Sequence, residues 1–176
     1  MEYVAANGVD IPKIGLGTMQ NDGPECVETI RTALEVGYRH IDTAQLYDNE
    51  ASVGEGIAAA NVDREDVFLT TKVWRSNLRS DDVIESVHES LDRLDVDYVD
   101  LLLIHWPHPR IPVEETLSAM ERLRADGFVS HLGVSNFTPA QLEEAISVAN
   151  VPIVADQVLY HPYYDQAQLL DTCQKH

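Results

Sequence analysis

His40-Ile41-Asp42, Val67-Phe68-Leu69-Thr70-Thr71-Lys72 and Leu101-Leu102-Leu103-Ile104-His105 are three short apolar runs, each ending on a chemically active side chain. Short runs of this kind, rich in branched residues, read as buried strands. Tyr47 lies just past the first. As successive parallel strands, the runs bring Asp42, Tyr47, Lys72 and His105 to one rim of the sheet. In a β/α barrel that rim carries the chemistry. A phenol, an ammonium, a carboxylate and an imidazole meeting there form a proton-donor site.

Working outward, apolar runs begin near Ile14, His40, Val67, Val99, Val129 and Ile153, with helical patterns between them, a repeat of 24 to 32 residues. Such alternation specifies parallel βαβ units. Ile84, Val87, Leu91 and Leu94 recur at three- and four-residue steps and predict a buried helix stripe, as do Leu142, Ala145, Ile146 and Ala149. Helix starts are expected at Ser80 before Asp81-Asp82, at Pro112 before Glu114-Glu115, and at the capping box Thr138-Pro139-Ala140-Gln141. Gly37 and Gly127 stand where helices should stop. Tyr3-Val4 and Val9-Asp10-Ile11 flank Asn7-Gly8 and predict a hairpin placed to close the bottom of a barrel.

A complete β/α barrel needs eight units over about 250 residues. Here 176 residues supply six strands, the sixth helix being expected from Gln166 to His176. A doubly wound open sheet accommodates six strands, but it carries a Gly-rich turn after the first. Gly15-Leu16-Gly17-Thr18-Met19-Gln20 lacks the third glycine, and its two glycines read as letting the backbone pass close to a neighbour. The expected fold is therefore α/β, of the (β/α)8 TIM-barrel type, with about six βα units plus an N-terminal β-hairpin. Residues 1–176 are expected to form a single, incomplete barrel domain.

Charge excludes several roles. Thirty acidic residues face 12 basic ones, for a net charge of −18, which argues against nucleic acid or an anionic membrane as partner. Lysine is nearly absent (Lys13, Lys72, Lys175), and the acids are dispersed over helix surfaces as Asp81, Asp82, Glu85 and Glu89, Glu114, Glu115 and Glu121, and Glu143 and Glu144. A dispersed coat reads as halophilic adaptation, with ordinary acidity as the alternative. The first residues show no basic region leading into an apolar stretch, and no apolar run approaches the roughly 20 residues of a membrane span. Cys26 and Cys173 are far apart, so free thiols and a cytoplasmic location are expected. His40, His88, His108, His131 and His176 have no metal-ligand spacing, so no metal is expected, and Tyr160 and His161 read as structural.

Gly15-Leu16-Gly17-Thr18, His40-Ile41-Asp42-Thr43-Ala44-Gln45-Leu46-Tyr47-Asp48-Asn49-Glu50, Thr71-Lys72-Val73-Trp74, Ile104-His105-Trp106-Pro107, Gly133-Val134-Ser135-Asn136-Phe137 and Asp156-Gln157-Val158-Leu159-Tyr160-His161-Pro162 occur in that order. Together they resemble the signatures of the aldo-keto reductase family over essentially the whole chain. The short segment after His105 is most similar to the prokaryotic type related to 2,5-diketogluconate reductases. The family fold is an eight-unit barrel, and against it this sequence ends just before the seventh strand.

The resemblance implies reduction of an aldehyde or ketone to an alcohol, with NADPH, or NADH, as hydride donor and a small carbonyl compound as substrate. Oxygen that gains negative charge during hydride transfer needs a proton donor, and a free phenol, with a pKa of about 10, is a weak one. A cation beside a phenol favours its ionised form. Lys72 is expected to supply that cation, Asp42 to hold Lys72 charged and oriented, Tyr47 to give the proton, and His105 to align the carbonyl oxygen. The resemblance further implies that Ser135, Asn136 and Gln157 hold the nicotinamide carboxamide. Thr18 and Asp42 are expected to approach the ribose, and Trp74 and Trp106 to wall the substrate. Two other readings stand beside this one: a cofactor-binding regulatory relative or impaired barrel without turnover, and a lyase using Lys72 as a Schiff base, against which Tyr47 and Asp42 argue. Unpaired parallel edges also predict self-association.

Overall fold

The computed structural model describes all residues 1–176 and begins with a hairpin, β1 (Tyr3–Ala6) against β2 (Val9–Pro12). Asn7 and Gly8, both at positive φ, make the two-residue turn that the Asn-Gly pair specifies. Six parallel strands follow: β3 (Leu16–Gly17), β4 (His40–Asp42), β5 (Phe68–Val73), β6 (Val99–Ile104), β7 (Val129–Ser135) and β8 (Ile153–Gln157). They are hydrogen-bonded in chain order, so β3 and β8 are the two edges of one curled sheet. No glycine-rich dinucleotide turn interrupts the order, and the alternative of a doubly wound sheet, whose strand order reverses, does not apply.

Helices α1 (Gly23–Glu35), α2 (Glu50–Ala59), α3 (Ser80–Leu94), α4 (Val113–Ala125) and α5 (Pro139–Val148) join the strands, and α6 (Ala167–Lys175) follows β8. The main apolar core lies between them and the outer face of the sheet. A smaller one fills the inside of the curl, where Leu101, Leu103 and Val154 meet Val9 and Ile11 of the hairpin. Asn7 also donates to the Ile153 carbonyl. The hairpin thus plugs the bottom of the curl, as expected, and leaves the opposite rim open.

Gly37 and Gly127 end α1 and α4 at positive φ, and Thr138 with Gln141 makes the full capping box of α5. Three local expectations need correction. The first barrel strand is only two residues long and excludes Ile14, which is 59% exposed in the bend after the hairpin. Gly15 does permit a close approach, since a Cβ there would lie 2.9 Å from His40 Nδ1, whereas Gly17 has open space around it. α3 starts one residue early, with Ser80 inside the helix and its N–H on Glu115, and its buried stripe is Val83, Val87, Leu91 and Leu94 with Ser86 and Ser90. Ile84 packs only at the margin of the core, while Ser86 and Ser90 are buried. No helix is long and apolar enough to cross a membrane.

Candidate active site

Each strand delivers its functional group at the open rim. Asp42 is the last residue of β4, Lys72 the penultimate residue of β5, and His105 follows β6, its N–H continuing the ladder to Val73 O at 3.1 Å. Lys72 faces the inside of the curl, since its neighbours Thr71 and Val73 face the helices. Tyr47 closes a short 3-10 turn, Gln45–Tyr47, directly after β4.

Lys72 is 1% exposed, and its ammonium has three acceptors. It donates to Asp42 Oδ1 at 2.5 Å, to Thr43 O at 2.9 Å and to Tyr47 OH at 3.4 Å. A buried ammonium needs such partners, and the count matches its three hydrogens. His105 packs edge-on against both Tyr47 and Trp74, with ring centroids 5.7 and 5.2 Å away. Burial, reinforced by the charge on Lys72 and partly offset by Asp42, pushes the His105 pKa down to about 4, so the ring is neutral at physiological pH. Its Nδ1 is buried without a partner. Nδ1 has no partner in either tautomer, so Nε2 is the ring nitrogen left to meet a ligand.

Hydrogen bonds continue around the rim. Asn136, held at a φ of 61°, donates from Nδ2 to His105 O at 2.9 Å and to Ser135 Oγ at 3.0 Å. Ser135 Oγ donates to Gln157 O at 2.7 Å, and Gln157 Nε2 donates to Asp42 Oδ2 at 2.7 Å. A bulge in the β7–β8 pairing sets Gln157 opposite Ser135. Asn136 Oδ1 and Gln157 Oε1 accept nothing from the chain and remain available to a ligand.

The rim therefore brings together Asp42, Tyr47, Lys72, His105, Trp74, Ser135, Asn136 and Gln157. One expected position differs. Thr18 is fully buried, and both its N–H and its hydroxyl donate to Asp42 O, so its side chain ties β3 to β4 and offers a ribose no open donor. Trp106, next in the chain after His105, is 43% exposed.

Residues without an assigned role in the sequence reading also support the site. Asn49 accepts from Thr43 Oγ1 and donates to Thr18 O and Asn21 O, stapling the ends of β3 and β4. Buried Glu50 accepts from Thr71 next to Lys72 and from Arg93 of α3. In sequence, a carboxylate in a helix's first turn reads as a partner of the helix dipole, which hides this use.

The profile of the "Aldo/keto reductase family" matches residues 13–176. Methylglyoxal reductase DkgB of Salmonella typhi is 42% identical over 169 residues, covering 94% of this chain and 63% of its own length. Glyoxal reductase of Bacillus subtilis is 41% identical over 168 residues, covering 95% and 60%. The crystal structure of a Bombyx mori aldo-keto reductase in complex with NADP superimposes with a TM-score of 0.92 at 36% identity, covering 98% of this chain and 62% of that one. The chain thus spans about three fifths of the length of these relatives. A match that runs through every strand of the curled sheet and leaves out only the hairpin makes this chain a member of the aldo/keto reductase family.

Proposed function

We propose that this chain carries the site of a carbonyl reductase, converting an aldehyde or ketone to an alcohol with NADPH, or NADH, as reductant and Tyr47 as proton donor. The observation that supports it most is the placement of Lys72, whose ammonium reaches Asp42, Thr43 O and Tyr47 OH at once. That cation offsets the negative charge left on the tyrosine oxygen when it gives up its proton. Asp42 keeps the ammonium charged and aimed. Neutral His105 donates from Nε2 to the carbonyl oxygen and aligns it with the phenol. Trp74, packed on His105, and Trp106 beside it wall the substrate.

The amide groups fit a nicotinamide carboxamide: Asn136 Oδ1 and Gln157 Oε1 are free acceptors, and Gln157 Nε2 has a second hydrogen. When bound, the cofactor supplies hydride to the carbonyl carbon. Asn136 and Gln157 hold the carboxamide, Ser135 orients both, and Asp42 faces the ribose with Thr18 supporting it from behind. We infer NADP preference from the Bombyx mori relative's complex, and α-oxoaldehydes as substrates from the names of the Salmonella and Bacillus relatives. A reducing, cytoplasmic location agrees with two free thiols, one exposed, and salt adaptation with the exposed acids of α3 to α5. Residues 1–176 act as one barrel unit in this reading, with β3 and β8 the edges at which copies associate.

A second reading, cofactor binding without turnover, draws on the free acceptors Asn136 Oδ1 and Gln157 Oε1, which serve binding alone. The lyase reading is disfavoured, because an ammonium ion-paired at 2.5 Å is not the neutral amine a Schiff base needs. Titration with NADPH followed by methylglyoxal separates the first two. Binding with oxidation of NADPH supports the reductase, and binding without oxidation supports the second reading.

A further inference from the structure

Gln45 opens the 3-10 turn that ends on Tyr47, and its amide is fully used. Nε2 donates to Ser86 O at 3.1 Å and to Ser90 Oγ at 3.2 Å on α3. Oε1 accepts from Trp74 N at 2.9 Å and from Asn77 Nδ2 at 3.1 Å in the loop after β5. Both hydrogens and both lone pairs are satisfied. One half-buried side chain thus binds the turn carrying Tyr47 to the backbone of Trp74 and anchors both to a helix.

The two residues so joined are the ones that flank His105. Tyr47 packs on its ring at 5.7 Å and Trp74 at 5.2 Å, both edge-on. The gap between phenol and indole is where a carbonyl compound sits on His105 in the proposed reaction. Backbone bonds of the turn itself, Tyr47 N to Ala44 O and Asp48 N to Gln45 O, hold its shape but not its distance from Trp74. Lys72 ties the turn to β5 two residues before Trp74, through Thr43 O and Tyr47 OH, and the Gln45 amide is the bond that reaches Trp74 itself.

We propose that Gln45 is a positioning residue for carbonyl reduction, setting the gap between Tyr47 and Trp74 and so how closely a small carbonyl compound is held. This rests on the reductase reading above. Gln45 touches neither substrate nor cofactor. Its loss widens the substrate gap and leaves the carboxamide cradle on β7 and β8 alone.

The test compares Gln45→Leu, which removes all four bonds, with Gln45→Glu, which keeps an acceptor for Trp74 N and Asn77. Both are made in the full chain, with Trp106→Phe added in a parallel set so that emission reports Trp74 alone. For Gln45→Leu, kcat/KM with methylglyoxal should fall ~10- to 100-fold, mainly through KM, as expected for a misplaced contact. Its Kd for NADPH should stay within about twofold, and Trp74 emission should shift to the red. Gln45→Glu keeps the acceptor for Trp74 N but loses the donors to Ser86 O and Ser90 Oγ, so it should hold the emission near wild type and recover only part of the KM. Wild-type emission and kcat/KM in Gln45→Leu overturn the proposal, as does Gln45→Glu with emission shifted from wild type. That last comparison decides the matter even if Gln45→Leu does not fold. Absence of turnover in the unmodified chain counts against the reductase reading, and emission then scores the Gln45–Trp74 lock separately.

Discussion

Gln157 Nε2 donates to Asp42 Oδ2 at 2.7 Å, a bond between the last strand of the sheet and the second that joins residues 115 apart. The other oxygen of the same carboxylate accepts from Lys72. One carboxylate therefore connects the free amide acceptors of β7 and β8 to the ammonium beside Tyr47. In the proposed function, the group that orients the proton donor and the group that holds the cofactor share a partner.

Replacing Gln157 by leucine removes an amide from the cradle and frees Asp42 Oδ2, while the Lys72 pair remains. Affinity for NADPH should fall about 5- to 10-fold, the worth of roughly one hydrogen bond. Isothermal titration of the two proteins measures this, and equal affinities would remove Gln157 from the cofactor site.

The depressed pKa of His105 fixes an expectation for acid. Its ring stays neutral from pH 8 to about pH 5, so the rate should show no break near the ordinary histidine value of about 6.5. Stability follows the same group. The folded pKa, about 4, lies below the unfolded one, so the unfolded chain binds more protons in the window between them. Stability is full above the unfolded value and is lost as pH falls through that window, with His40 and His131, both lowered chiefly by burial, acting in the same direction. Thermal melts from pH 7 to pH 4.5 of Asp156→Asn, which removes a carboxyl that titrates in this window with the opposite sign, should show the loss, and a flat profile there contradicts it.

Asp156 has the opposite sign. Burial raises its pKa to about 6 against the small lowering by the Phe137 N–H, and its Oδ2 is buried without a partner. A raised carboxyl pKa lowers stability as pH climbs from the unfolded value, 3.8, through the folded one, because the unfolded chain ionises first. Asp156→Asn removes the buried charge and retains an acceptor for Phe137 N–H. Its melting temperature should exceed wild type by a few degrees at pH 7.5 and equal it below the unfolded value. A lower value at pH 7.5 would mean the charge has a partner here.

The acid coat makes a salt prediction. Asp81, Asp82, Glu85, Glu89, Glu114, Glu143 and Glu144 are all exposed, within a net charge of −18. Self-repulsion of this size is relieved by screening. The melting temperature should climb between about 0.1 M and about 2 M KCl, and a fall over that range would contradict the halophilic reading.

Much of this molecule is legible in its sequence because the signals are local. The Asn7-Gly8 turn, the stops at Gly37 and Gly127 and the Thr138 capping box each depend on residues within one turn of chain. The strand ends carrying Asp42, Lys72 and His105 are equally plain, and neighbouring parallel strands bring them together without further information. What stays hidden is whatever is settled by distant partners. Gln45 is bonded to residues 29 to 45 positions away, and nothing in its neighbourhood marks it. Thr18 sits at the expected strand end, but it is buried and its hydroxyl is spent on Asp42 O. The phase of α3 depends on which small residues meet the sheet, a packing outcome that periodicity alone does not resolve.

In the proposed reaction Tyr47, beside Lys72, is the proton donor. The direct test is oxidation of NADPH by the chain and by Tyr47→Phe with methylglyoxal in molar KCl, alongside NADPH affinity and circular dichroism of both. Loss of one hydroxyl at the rim should leave fold and cofactor affinity unchanged and lower kcat by about 100-fold or more. Equal rates for the two proteins would contradict the assignment.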